Sequence, residues 1–160
     1  MWIDKEHKKT YTDSSIRGLR VKYSRLIDQE LKVKIKDFIK FLRDRYYFPI
    51  RCTIWIKPGK GFFQKGQSTK LSIGDFYYYD DNLKKTPLIW IATGRYHYAH
   101  DEKKELEVNN ILFTIAHELT HYFQWYFLEI DTRTDRSLEI EANKWANFLV
   151  HEYLSHKYLV

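Results

Sequence analysis

The residues best suited to chemistry are His117, Glu118 and His121, in the run Ile115-Ala116-His117-Glu118-Leu119-Thr120-His121. They form an H-E-x-x-H pattern. On a helix, positions i and i+4 share a face, so both imidazoles can reach one cation. Glu118, one residue on, sits beside that cation and not under it. The spacing suits two imidazole ligands on Zn²⁺ and a carboxylate that takes a proton from bound water. The flanks Thr114-Ile115-Ala116 and Tyr122-Phe123 carry no charge, which places the pattern on a buried helix. A catalytic zinc wants a third protein ligand and one open position. The downstream candidates are Asp131, Asp135, Glu139, Glu141, His151 and His156. Glu139 and Glu141 stand about 200° apart on a helix, so only one of them can face the ion. The residues alone separate the two weakly.

Several elements must position these groups. Ile27, Leu31, Ile35, Phe38, Leu42 and Tyr46 make one apolar stripe, predicting an amphipathic helix over about 24–46 with Ser24 as its N-cap. Pro49 stops any continuation. Residues 50–57 then alternate and are rich in β-branched and aromatic side chains, the signature of a strand. Further strands are expected near Phe62-Phe63, over 71–79 with Gly74 as a possible bulge, and over 88–92. Residues 95–104 read as a connection, and residues 1–22 as an irregular lead-in. The H-E-x-x-H helix should run over about 105–128. A last helix, about 137–157, packs inward through Leu138, Ala142, Trp145, Leu149 and Tyr153. A helix, a run of strands and then two helices indicate an α+β fold.

A chain of 160 residues suits one domain, 1–160, with a substantial core. Cys52 is the only cysteine, which excludes a disulfide framework and a cysteine-rich zinc site. No apolar leader and no apolar run of membrane-spanning length is seen, so a cytoplasmic location is expected. The net charge is +6, but the lysines interleave with acids along the chain. That favours a solvated surface over direct nucleic-acid binding.

Thr114 to His121 resembles the active-site helix of thermolysin-like zincins. Glu139-Ile140-Glu141-Ala142-Asn143-Lys144-Trp145-Ala146 resembles the E-x-E-A-(N/D)-x-(F/W)-A segment of the ImmA/IrrE family. Together they resemble a minimal gluzincin, in which H-E-x-x-H is followed by a glutamate on a later helix. The likeness covers about 114–150. It implies a zincin-like fold: an N-terminal helix, a small twisted sheet of three or four strands, the H-E-x-x-H helix and a C-terminal helix bearing the Glu ligand. It also implies that Glu141 is the third ligand, with His117 and His121, and that Glu118 is the catalytic base. The chain departs from thermolysin where an Asp four residues past the Glu ligand is replaced by Trp145. Support for a zinc histidine must then come from elsewhere. The implied activity is zinc-dependent hydrolysis of peptide bonds in a peptide or protein substrate, which could be a regulatory protein. An extended substrate would pair with strand 71–79, or alternatively with 88–93. The competing reading is a silent or latent zinc-site protein that binds a partner.

Overall fold

The computed structural model describes residues 2–6, 17–63, 71–79 and 85–159. Among these described residues, four helices and a small mixed sheet make an α+β fold. The sheet contains β1 (Leu19–Tyr23), β2 (Cys52–Lys57), β6 (Leu88–Ala92) and β5 (Gly74–Tyr77), in the order β1-β2-β6-β5. β1, β2 and β6 run parallel, and β5 pairs antiparallel to β6 at the edge. A separate hairpin joins β3 (Phe62–Phe63) to β4 (Leu71–Ser72).

The lead-in expected over 1–22 is corrected in two places. Residues 19–23 form β1, with Leu19, Val21 and Tyr23 packed on the core and Arg20 and Lys22 on the other face. Trp2 and Ile3 are buried, and the Trp2 indole N–H donates to Thr120 Oγ1 at 3.1 Å. The expected cap cluster at residues 12–15 lies outside the described residues.

The first helix, α1, is Gln29–Arg45 and starts later than expected. Asp28, not Ser24, is the N-cap: its carboxylate accepts from the Leu31 N–H at 3.0 Å. The strand expected over 71–79 divides at Ile73 into β4 and β5. The connection expected over 95–104 instead contains the short helix α2 (Gly94–Tyr98) and the start of α3 (Asp101–Tyr126). The last helix, α4, is Asp135–Tyr158, and Thr134 caps it through Ser137 N–H.

One face of the sheet, built from Ile54, Ile56, Ile89 and Ile91, joins α1 and α3 in a continuous apolar core. On the other face Lys22, Trp55 and Trp90 share a register row. Lys22 Nζ lies 4.7 Å from the Trp55 ring centroid, and Lys57 Nζ lies 4.0 Å from that of Trp90. The lysine stems cover these rings while their charges stay in water.

The edge strand lies directly on α3 at Gly74. A Cβ there would collide with Thr114 Cγ2 and come within 3.0 Å of Glu118 Oε1. Gly59, in a turn, has nothing within 4 Å of an added Cβ. Gly74→Ala is therefore expected to cost about 1–3 kcal/mol in chemical denaturation. Gly59→Ala should change stability little. Equal stability of the two variants would show that β5 does not press on the helix.

Candidate metal centre

The site is built where α3 and α4 meet the edge of the sheet. His117 and His121 lie one turn apart on α3, with their Nε2 atoms 3.1 Å from each other. Glu139, in the second turn of α4, places its carboxylate across both: Oε2 is 3.2 Å from His117 Nε2, and Oε1 is 3.1 Å from His121 Nε2. These three side chains are a group that could hold a metal ion. The distances fit a small tetrahedral cation. Two nitrogens each about 2.0–2.1 Å from zinc at the tetrahedral angle stand about 3.3 Å apart.

The carboxylate beside the imidazoles is that of Glu139, not Glu141 as expected from the resemblance. Glu141 instead meets Gln124 of α3 and Arg133. Its Oε2 accepts from Arg133 Nη1 at 2.5 Å and from Gln124 Nε2 at 3.1 Å. Arg133 also donates to Glu129 at 3.1 Å and to Ser137 Oγ at 2.8 Å. Glu141 thus belongs to an ion-pair network one layer behind the histidines.

Each imidazole is oriented from behind by an amide. His121 Nδ1 lies 2.7 Å from Gln124 Oε1, and His117 Nδ1 lies 3.1 Å from Asn143 Oδ1. Gln124 is fully buried, and its amide nitrogen is already committed to Leu138 O and Glu141. Its oxygen can therefore only accept, which puts the His121 proton on Nδ1 and leaves Nε2 a free lone pair. The same tautomer follows for His117 when Asn143 Oδ1 accepts from Nδ1. Burial, and then the neighbouring His121, hold the His117 pKa below its ordinary value, so its ring is neutral and able to ligate. Gln124 and Asn143 supply the support that Trp145 cannot. Their signals were spacing: Gln124 is three residues past His121, and Asn143 stands four past Glu139 within the quoted segment. Replacing Gln124 by Leu is expected to lower zinc affinity about 10–100-fold with the fold retained. A zinc-chelator competition assay measures it, and unchanged affinity would remove Gln124 from the site.

Glu118 is buried on the inner side of the cleft, under Gly74. Burial, then the charges of Asp75 and Glu139, raise its pKa to about 8. Asp75, on the edge strand, is itself raised by burial. Three carboxyl groups thus crowd beside two imidazoles, an arrangement that a dication would relieve.

No protein-family model, curated protein or solved structure matches the chain. Of the described helices, none is long and apolar enough to cross a membrane.

The cleft runs to both sides of the histidines. On one side is a cavity of about 330 Å³ lined by Asp75, Tyr78, Asp135 and Glu139, among others. On the other is a cavity of about 350 Å³ that includes Arg95, Asn110, Phe113 and Asn143. Ser72, Gly74, His117 and Glu118 border both.

Proposed function

We propose that the chain is a zinc-dependent metallopeptidase of gluzincin type, with a zincin-like fold and with His117, His121 and Glu139 as ligands. The observation that carries this reading is the meeting of two Nε2 lone pairs and the Glu139 carboxylate within 3.2 Å, with the acid Glu118 alongside. The antiparallel edge strand β5, laid over the helix that bears H-E-x-x-H, supports the zincin-like assignment.

The chain's own residues divide the work. Gln124 and Asn143 fix the imidazole tautomers. Glu118 takes a proton from the attacking water and passes it to the leaving amine. A zinc ion held there by His117, His121 and Glu139 would supply a Lewis acid that activates water. The edge of β5 that no described strand pairs with offers backbone N–H and C=O groups to an extended substrate, which aligns the scissile bond beside Glu118.

The test is digestion of a mixed peptide library by zinc-loaded protein, read by mass spectrometry. Cleavage at internal bonds is expected, abolished by a chelator and restored by zinc. Stoichiometric zinc with no cleavage of any peptide would instead favour a silent site that binds its partner.

A further inference from the structure

The two arms of the cleft differ in charge. The arm toward the C-terminal end of β5 carries Asp75 and Asp135 in addition to Glu139. Among the described residues, the arm toward Ser72 and Ile73 carries Arg95 as its only charged residue apart from the shared His117 and Glu118. Arg95 is exposed, and among the described residues no carboxylate pairs with it. Asn143 lines the same arm; its oxygen is committed to His117, which leaves its N–H donors for a ligand. An unpaired guanidinium beside amide donors, in a cavity next to a candidate reaction centre, is suited to a carboxylate.

We infer that Arg95 forms an anion-recognition subsite in the cleft, selecting substrates with a carboxylate near the cleaved bond. This inference rests on the peptidase reading above. The direction of the chain follows from the sheet. A peptide added antiparallel to β5, the slightly stronger pairing, runs past Gly74 toward Ser72 with its C-terminal side. The recognised carboxylate therefore lies on the C-terminal side of the scissile bond. It belongs either to an Asp or Glu side chain or to the substrate's own C-terminus. The acidic arm opposite disfavours a carboxylate on the N-terminal side and receives a lysine, an arginine or a free amine there.

Peptide libraries with a free or an amidated C-terminus separate the two sources. Cleavage by the zinc-loaded protein is read by mass spectrometry. Equilibrium retention on zinc-loaded Glu118→Gln protein is read in parallel, so that the subsite is scored even without turnover. Enrichment of acidic residues C-terminal to the cut, in both libraries, assigns the side chain. Enrichment that needs the free C-terminus assigns the terminal carboxylate. Either preference should fall about tenfold or more in Arg95→Gln and turn toward Lys in Arg95→Glu. Equal cleavage or retention of anionic and neutral peptides, or a preference that survives Arg95→Gln, would overturn the inference and leave the peptidase proposal standing. Loss of cleavage with the retention preference intact would overturn the peptidase proposal and leave the subsite standing.

Discussion

Glu139→Gln is expected to strip the protein of tightly bound zinc, whereas Glu141→Gln should leave it loaded. The first change removes the only carboxylate among the described residues that reaches both Nε2 atoms, at 3.1 and 3.2 Å. The neutral amide that replaces it is a poor ligand for a divalent ion. The second change removes a carboxylate held by Arg133 and Gln124, one layer away from the imidazoles. Its cost falls on that network. Zinc affinity should drop no more than the about 10–100-fold typical of an outer partner. The Glu141–Arg133 pair is about a quarter exposed, so its loss should cost at most about 1 kcal/mol of stability. Metal content after gel filtration, together with competition against a chelating dye, separates the two variants. If Glu139→Gln keeps stoichiometric zinc and Glu141→Gln loses it, the ligand assignment is reversed.

The second large effect concerns Glu118. Glu118→Gln should retain zinc and lower turnover by about 10²–10⁴-fold, the usual contribution of a positioned base. The same variant should change stability in a way that depends on pH. In the metal-free fold, burial raises the Glu118 pKa from 4.5 to about 8. Below about pH 4.5 both the folded and the unfolded chain hold the proton, and the group costs nothing. As pH rises, the unfolded chain ionises first, and stability is lost until the folded carboxyl also ionises near pH 8. Glutamine cannot ionise. Metal-free Glu118→Gln should therefore melt higher than the metal-free wild type at about pH 8, by up to a few kcal/mol in stability. The difference should vanish near about pH 4. Identical melting curves across this range would mean that the carboxyl is not held in an apolar setting, and would remove the basis for tuning it as a proton acceptor.

Much of the architecture was written in periodicity. α1, α3 and α4 each carry a long apolar stripe, and β2 and β6 are rich in branched side chains. β1 was missed although Leu19, Val21 and Tyr23 alternate with Arg20 and Lys22. Five residues behind a polar segment give too short a pattern to stand out, and parallel pairing to β2 decides it. Asp28 took the helix cap from Ser24 because its carboxylate also accepts from Tyr96 OH at 3.2 Å, a contact that only the tertiary fold supplies. The choice between Glu139 and Glu141 was more legible than the resemblance suggested. The buried stripe of α4 runs through Leu138, Ala142, Ala146, Leu149 and Tyr153. At about 100° per residue, Glu139 lies about 60° from the centre of that stripe and Glu141 about 100° away on the other side. Both flank the contact with α3, and Glu139 is the one nearer the centre of the stripe. Arg95 was not legible: no motif surrounds it, and only the packing of α2 brings it beside the cleft.

The proposed ligands, and the covering of the proposed base, draw on contacts of very different span along the chain. His117, His121 and Glu139 all belong to one helical hairpin, whose contacts span short loops and close early during folding. The covering of Glu118 by Gly74 needs a strand more than forty residues upstream to dock, and Trp2 must cross 118 positions to reach Thr120 on the same helix. A refolding chain would thus assemble the proposed ion site before the proposed proton acceptor is covered. On the proposed peptidase reading, metal uptake would then precede competence.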